Sequence, residues 1–275
     1  MNETVKTDHK DEEKAVEERL APIKHILLVL SGKGGVGKST VAVNVATELA
    51  REGYRVGLLD IDIHGPSLPV MLGLEGTPIH YSENAMLPVE FTINLSVMSI
   101  GFLLKDRGDA VIWRGPMKYG VIKQFISDVE WGELDYLVVD SPPGTGDEPL
   151  SIAQLTGKKS RALIVTTPQR VSIDDVRKSI NFCKKLELPV AGIIENMSGF
   201  VCPHCGERVD IFDTGGGEKL AKEMNVPFLA RIPIEPGIVD ACDNGGPYVL
   251  TNGGSETAKA FRTAIEFILA SQDEK

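Results

Sequence analysis

The chain has 275 residues, enough for one large domain or two small ones, and its 42% of hydrophobic residues with few aromatics are typical of an aliphatic-cored α/β domain. Its 39 acidic and 29 basic side chains give a formal charge of −10, which disfavours binding to nucleic acid through broad phosphate neutralisation. No apolar run approaches the roughly 18 residues that span a bilayer, and the first 20 residues lack the apolar core of a signal peptide, so we expect a cytoplasmic protein without a membrane partner.

The start of the chain is rich in charged residues. Residues 1–21 carry many charges and few apolar side chains, so we interpret them as a flexible charged leader with a helical stretch over residues 11–20. Residues 22–275 contain no internal repeat, low-complexity tract or linker, and we assign them to one domain.

Apolar runs and helical stripes then alternate along the chain. Continuous apolar runs predict strands buried on both faces, and apolar residues three or four apart predict amphipathic helices. The predicted strands are residues 26–30, 56–59, 95–100, 136–139, 162–165, 190–194 and 228–232, and the predicted helices are residues 38–51, 173–186 and 256–270. Strands that alternate with helices indicate the α/β class, with a doubly wound, mostly parallel sheet flanked by helices.

A glycine-rich loop follows the first predicted strand. Residues 32–39 fit the pattern G-x-x-x-x-G-K-[ST] in full and lie between a buried strand and an amphipathic helix, as a phosphate-binding P-loop requires. The glycines let backbone N–H groups surround a phosphate, Lys38 supplies a cation for the β- and γ-phosphates, and the Ser39 hydroxyl is a Mg²⁺ ligand. The predicted ATP-binding residues are Gly32, Lys33, Gly34, Gly35, Val36, Gly37, Lys38, Ser39 and Thr40.

A second lysine, Lys33, follows the first glycine of the loop. In an ordinary P-loop it would be a solvated surface lysine. The run from Lys33 to Thr40 resembles the deviant Walker A motif of the MinD, ParA and nitrogenase iron protein class, however, in which this lysine reaches the nucleotide of a partner subunit. That resemblance implies that Lys33 is catalytic and that the protein forms a nucleotide-sandwich homodimer.

Carboxylates close two of the predicted strands. Asp60 and Asp62 follow the second strand, and Asp140 ends the fourth. Because ligands of parallel sheets collect at the carboxyl ends of the strands, we expect Asp60 and Asp140 beside Mg²⁺. By resemblance to the same class, Asp62 is the catalytic residue that positions the attacking water. The alternative for either member of the first pair is a cap on the following turn.

Two more residues complete the predicted nucleotide site. Gly144 lies in the Ser-Pro-Pro-Gly segment after Asp140 and would bring a backbone N–H to the γ-phosphate. The chain lacks the Asn-Lys-x-Asp motif that reads guanine, so ATP is favoured over GTP. By resemblance, Asn196 is the residue that hydrogen-bonds adenine, whereas outside that resemblance it is a plausible turn residue.

Cys202 and Cys205 form a C-x-x-C pair followed by a glycine. Two thiolates at this spacing can bind one metal, but zinc and [4Fe–4S] sites both take four ligands and the chain contains no second pair. A homodimer with its two-fold axis near this loop would supply four thiolates. The residues alone leave zinc and an iron–sulfur cluster as equal alternatives, and they disfavour a redox-active pair.

Several segments together resemble the Mrp/ApbC family of cytosolic ATPases. They are the loop at 31–40, Asp60 to Ser67, Trp113-Arg114-Gly115-Pro116, Asp140 to Asp147, Glu195 to Ser198, and Cys202 to Cys205 with the glycines at 215–217. The resemblance covers residues 24–270. It implies a carrier that uses ATP and Mg²⁺, holds a [4Fe–4S] cluster between the cysteine pairs of two subunits, and transfers that cluster to apoproteins.

Two other functions share these features. A MinD- or ParA-like positioning ATPase would have the same nucleotide site, but the acidic tail at residues 270–275 does not suit a membrane-binding helix and the charge of −10 disfavours DNA. A zinc-bridged regulatory dimer would use the same cysteine pair.

Overall fold

An eight-stranded sheet, in the order β12-β9-β8-β1-β7-β2-β6-β5, forms the centre of the protein. The structure, a computed structural model, describes residues 14–63, 65–83, 85–103, 115–202 and 204–271. Every neighbouring pair in the sheet is parallel except the edge pair of β5 and β6. The strands are β1 Ile23–Ser31, β2 Val56–Asp60, β3 His80–Tyr81, β4 Met86–Leu87, β5 Val89–Thr92, β6 Leu95–Ser99, β7 Leu134–Asp140, β8 Ser160–Thr166, β9 Val190–Glu195, β10 Phe200–Val201, β11 Arg208–Val209 and β12 Phe228–Arg231.

Helices cover both faces of this sheet. They are α1 at residues 14–20, α2 Lys38–Arg51, α3 Leu68–Met71, α4 Gly115–Asp128, α5 Asp147–Thr156, α6 Arg170–Lys185, α7 Gly216–Met224, α8 Pro236–Asp243, α9 Tyr248–Thr251 and α10 Glu256–Ala270. No helix within the described ranges is both long and apolar enough to cross a membrane.

The central strand β1 shows why its sequence is a continuous apolar run. Leu27 and Val29 pack into the core on one face of the sheet, with α2 and α10, whereas Ile26, Leu28 and Leu30 pack into the core on the other face. A strand buried on both sides needs apolar residues at successive positions, since its side chains alternate between the two faces. The predicted α/β class with a mostly parallel sheet is confirmed.

The shortest strands were not predicted. β3, β4, β10 and β11 have two residues each, too few for an alternating pattern to stand out from the surrounding loops. β10 and β11 pair antiparallel, with Phe200 opposite Val209. This small hairpin matters for function because the C-x-x-C segment connects its two strands.

The predicted helical stretch near the start of the chain is present over residues 14–20, but its assignment to a flexible leader is wrong. Val16 and Leu20 of this helix are buried in the core. The Lys159 ammonium binds the end of the helix, donating to the carbonyl oxygens of Leu20, Ala21 and Ile23 at 2.9, 2.9 and 3.0 Å. Apolar side chains four apart bury one stripe of a helix even where charges dominate the composition. Residues 1–13 lie outside the described part of the chain.

Candidate functional site

The P-loop connects the end of β1 to the start of α2 and is shaped to bind an anion. Gly35 and Gly37 both have φ of +78°, a left-handed conformation that glycine adopts without strain. Gly37 is the N-cap of α2, and no side chain caps that helix terminus. The first N–H groups of α2 and the helix dipole therefore face the loop, as a phosphate site requires.

The lysine and the aspartate of the predicted site meet directly. The Lys38 ammonium pairs with Oδ1 of Asp140, and both side chains are almost completely buried. Lys38 begins α2, whereas Asp140 ends β7, the sheet neighbour of β1. Strand order thus brings together two residues that are 102 positions apart in sequence.

A second carboxylate lies beside Asp140. Asp60 and Asp140 are register partners on the parallel strands β2 and β7, and both are fully buried. Burial and then the neighbouring Asp140 charge raise the pKa of Asp60 to about 7. Its oxygens accept hydrogen bonds from the Ser99 hydroxyl at 2.9 Å and the Asp62 N–H at 3.0 Å. Asp60 therefore also orients the loop that carries Asp62.

The ends of β7 and α2 offer hard oxygen donors to a divalent cation. Oδ2 of Asp140 is buried and accepts no hydrogen bond within the described part of the chain. Burial raises the pKa of Asp140, and the Lys38 charge together with the Ser39 hydroxyl offsets only part of that rise. A carboxylate oxygen without a partner, next to a serine hydroxyl and a phosphate loop, fits Mg²⁺, which prefers oxygen ligands and keeps several waters.

Asp62 lies past the end of β2 and is half-buried. Its N–H donates to Asp60, and its Oδ1 accepts the Gly65 N–H at 3.3 Å. Its charge acts on Asp140 and raises the pKa of that residue, so the two carboxylates are close. The structure thus brings Asp62 to the same edge of the sheet as Asp60 and Asp140, while its role toward water stays a prediction. His64, in the same segment, lies outside the described residues.

The segment after Asp140 packs against the P-loop. Gly144 has φ of +91°, and its N–H donates to the Ser31 carbonyl at 2.9 Å. The Pro143 ring lies next to Gly34, where an added Cβ would find Pro143 Cγ at 3.8 Å. The predicted contact between the Gly144 N–H and a γ-phosphate would have to replace the bond to Ser31.

Asn196 also contacts the P-loop, in a way that the sequence did not predict. Its side-chain amide donates to the Val36 carbonyl at 2.8 Å, and both residues are buried. Asn196 therefore supports the loop. A hydrogen bond to adenine stays a prediction.

The other predicted loop residues surround the same cradle. Lys33 is half-buried, and its carbonyl accepts the Ser31 hydroxyl at 3.0 Å. The Thr40 carbonyl accepts the side-chain amide of Asn44 at 2.8 Å, inside the first turns of α2. Action of the Lys33 ammonium on a partner's nucleotide stays a prediction.

The cysteine pair sits at the tip of the hairpin formed by β10 and β11. The Cys202 N–H donates to the Glu207 carbonyl and the Gly206 N–H donates to the Cys202 carbonyl, both at 2.9 Å. The backbone N–H groups of Cys205 and then His204 lower the pKa of the Cys202 thiol. Hydrogen bonds from backbone to sulfur favour the thiolate, the form that binds metals. Cys205 is exposed and Pro203 lies outside the described residues.

The two thiols form an incomplete metal site within one chain. No group of three or more His, Cys, Asp or Glu side chains within the described ranges could hold a metal ion. Cys183 is buried, and burial raises its thiol pKa to about 12. Cys242 is half-buried on α8. The pair at 202 and 205 therefore needs ligands from elsewhere to make a four-coordinate site.

Two residues of this region were missed as site residues. Ser99 ends β6 and donates to Asp60, and only the alignment of β6 with β2 reveals that contact. Glu195 is fully buried, and its carboxylate accepts the N–H groups of Gly215 and Gly217 at the start of α7. A glutamate that ends an apolar strand is the one sequence signal that points to the second residue. Trp113 and Arg114 lie outside the described residues.

Comparisons with known proteins identify the family of this chain. A family model described as the NUBPL iron-transfer P-loop NTPase (ParA) matches residues 22–269. The cytosolic Fe-S cluster assembly factor CFD1 of Saccharomyces cerevisiae is 56% identical over 231 residues, covering 82% of this chain and 79% of that protein. The iron-sulfur cluster carrier protein of Methanocaldococcus jannaschii is 50% identical over 260 residues, covering 94% and 89%.

A solved structure shows the same fold with a nucleotide. The nucleotide-binding protein of Archaeoglobus fulgidus in complex with ADP superimposes with a TM-score of 0.78 and is 38% identical, covering 90% of this chain and 96% of that one. The fold, the P-loop and the length of the match are all consistent with the matched family. The chain belongs to the family of NUBPL iron-transfer P-loop NTPases.

Proposed function

We propose that this protein is a cytosolic, ATP-dependent iron–sulfur cluster carrier. Two copies hold one [4Fe–4S] cluster through Cys202 and Cys205 of each, hydrolyse ATP, and transfer the cluster to apoproteins. Relatives that match nearly the whole folded chain are named cytosolic Fe-S cluster assembly factor and iron-sulfur cluster carrier protein, which supports both the cargo and the location.

One observation carries the proposal: the hairpin presents half of a cluster site. Two thiols lie at an exposed tip, backbone N–H groups stabilise a thiolate there, and no third ligand of the described chain joins them. A site split between two identical subunits is completed by a two-fold axis and lost when the subunits separate. That is a suitable arrangement for cargo that must be released.

The nucleotide site supports hydrolysis of ATP. Lys38, now paired with Asp140, would exchange that partner for the β- and γ-phosphates and so free the carboxylate for the hydrated cation. When bound, Mg²⁺ neutralises charge on the phosphate oxygens, with Ser39 and Asp140 as the residues that hold it and Asp60 beside them. Asp62 orients the attacking water, and Lys33 of one subunit stabilises charge on the nucleotide of the other.

Anaerobic reconstitution with iron and sulfide tests the cargo. We expect broad absorption near 400 nm, the region typical of thiolate-to-iron charge transfer, and one cluster per two chains by native mass spectrometry. Changing Cys202 and Cys205 to Ser should abolish both signals. Cys242→Ser is the matched control and should keep them, since Cys242 lies on α8 outside the hairpin.

A different outcome identifies the alternative cargo. Colourless protein that carries one zinc ion per dimer after reconstitution would refute the cluster and favour a zinc-bridged regulatory dimer. A protein that stays monomeric with MgATP and binds nothing at the cysteines would refute the carrier function altogether.

A further inference from the structure

The end of β9 connects the P-loop to the cysteine hairpin. The Asn196 amide donates to the Val36 carbonyl at 2.8 Å, with 6% of Asn196 and 1% of Val36 exposed. The contact is tight, because a Cβ added to the next loop residue, Gly37, would collide with the same amide nitrogen. A buried hydrogen bond in close packing responds to small shifts of either partner.

The bonded carbonyl shares a peptide group with an N–H of the phosphate cradle. The Val36 C=O and the Gly37 N–H belong to one planar trans peptide, so they point in opposite directions. With Asn196 on the carbonyl side, the Gly37 N–H faces away from it. A phosphate that accepts this N–H polarises the peptide and strengthens the bond on its other side. A phosphate bound in the loop therefore changes the strength of the hydrogen bond between the Val36 carbonyl and the Asn196 amide.

From Asn196 the chain runs directly to the first cysteine. Only residues 197–201 separate Asn196 from Cys202. Met197 has φ of +56°, which is strained for a residue with a side chain, and Gly199 has φ of +80°. The Gly199 carbonyl accepts the Ile234 N–H at 2.7 Å, and β10 begins at the next residue. The segment is short, hydrogen-bonded and held in an unusual conformation.

The residue before Asn196 is held in place. Glu195 is fully buried, and its carboxylate accepts the Gly215 N–H at 2.8 Å and the Ser198 hydroxyl at 2.5 Å. It also belongs to β9, which pairs with β8 and β12. The Ser198 N–H also donates to the Ile232 carbonyl at 2.9 Å, so the short segment from Asn196 to Cys202 is constrained along its length and can pass a shift of the Asn196 side chain on to the hairpin.

We infer that Asn196 is a positioning residue that transmits nucleotide occupancy from the P-loop to the cysteine pair. The position of its amide depends on the polarisation of the Val36–Gly37 peptide. The segment from Met197 to Cys202 transmits a change in that position to the hairpin tip. The relevance to cluster release rests on the proposed function, whereas the coupling itself is a property of the chain without cargo.

The coupling can be measured on cluster-free protein. Iodoacetamide alkylation of Cys202 and Cys205, followed by peptide mass spectrometry, is compared without nucleotide and with saturating MgADP or a non-hydrolysable ATP analogue with Mg²⁺. We expect nucleotide to change the wild-type alkylation rate about fivefold, the low end of measured site-to-site couplings. Cys183 is the internal reference, because burial keeps its thiol protonated and unreactive.

Two variants of Asn196 decide the inference. Asn196→Ala removes the amide, and Asn196→Asp keeps its shape but cannot donate to Val36. Each variant is compared at nucleotide concentrations that saturate it, and both should lose most of the nucleotide effect on alkylation. Asn94→Ala is the matched control, since Asn94 also donates an amide to a backbone carbonyl, Ala50 O at 3.2 Å, but at the amino-terminal end of β6. It should keep the full effect.

Three outcomes overturn the inference: no nucleotide effect in the wild type, a full effect in both Asn196 variants, or variants that no longer bind nucleotide at all. If Asn196→Ala does not fold, the isosteric Asn196→Asp decides alone. Failure of the cluster hypothesis is distinguishable, because colourless reconstituted protein would leave the alkylation result unchanged.

Discussion

The ammonium of Lys38 is buried against the carboxylate of Asp140, so the P-loop helix and the end of β7 are joined by an ion pair at the centre of the candidate nucleotide site. Removing either charge should lower the stability of the fold, because the other charge is then left buried without a partner. If Lys38 binds the phosphates, as we propose, nucleotide binding breaks this ion pair or adds a phosphate to it. The pair therefore links stability to the occupancy of the site.

Removing the lysine alone tests this link. Lys38→Ala should abolish ATP binding and hydrolysis, and it should lower the free energy of unfolding by about 3 kcal/mol because Asp140 is left buried and unpaired. Urea denaturation and titration with a fluorescent ATP analogue measure the two effects. Adding Asp140→Asn to this variant should recover most of the stability but none of the binding. A double variant as unstable as Lys38→Ala would contradict the pairing argument.

The second lysine of the loop should affect turnover more than binding. Lys33→Ala should leave the Kd for ATP within about threefold and lower the rate of hydrolysis by about a hundredfold or more, because cations supplied across an interface act on the transition state. Phosphate release under single-turnover conditions measures the rate. Lys185→Ala, at the far end of α6, is the control and should hydrolyse ATP normally. Unchanged turnover in Lys33→Ala would refute the cross-subunit role.

Alanine substitutions at Gly35 and Gly37, which have the same φ, distinguish the cost of backbone strain from the cost of a steric clash. Gly35→Ala should lower the free energy of unfolding by about 1–2 kcal/mol through backbone strain alone, since nothing lies within 4 Å of an added Cβ. Gly37→Ala has the same φ of +78° but collides with Asn196, and should cost about 1–3 kcal/mol more. Thermal unfolding of both variants measures the difference. Equal losses would show that the contact between Gly37 and Asn196 is loose.

Asp135 should stabilise the fold only above acidic pH. The Lys24 ammonium donates to its Oδ1 at 2.7 Å and the Arg55 N–H to its Oδ2 at 2.8 Å, and these bonds hold its pKa below the ordinary value of 3.8. A carboxylate with a lowered folded pKa contributes stability above the unfolded pKa and loses it as the pH falls through the folded pKa.

Asp135→Asn should therefore lower the free energy of unfolding by about 1 kcal/mol at pH 7, and the difference from wild type should shrink as the pH drops below 3.8 toward the lowered pKa of Asp135. Urea denaturation from pH 3 to pH 7 would show this. Asp174→Asn, an exposed aspartate on α6, is the control and should change stability little at any pH. A constant difference across the range would rule out the ionised Asp135 as its cause.

The P-loop and its supporting elements could be predicted because their signals are local. The apolar run of β1, the glycines of the loop and the apolar stripe of α2 lie within residues 23–51, and α2 begins and ends where its pattern predicts. The same holds for α10, whose bounds match the predicted helix at 256–270. Local patterns predict elements well when one face or both faces must be buried.

The packing of the first helix and the hairpin of the cysteine pair were not predictable in the same way. Val16 and Leu20 are apolar residues in a run of charges, and only the core they meet shows that they are buried. The two-residue strands β10 and β11 exist because each completes the other's hydrogen bonds.

The sequence by itself determined which chemistry the protein carries: a phosphate loop with two lysines, carboxylates that close strands, and one pair of thiols, since each motif is a short contiguous run. Only the tertiary structure decided which of these groups touch. Lys38 meets Asp140, Asp60 meets Ser99, and Asn196 meets Val36, because strand order in a parallel sheet sets which strand ends are neighbours. That order depends on the crossover connections and the core they bury, which no short run of residues encodes.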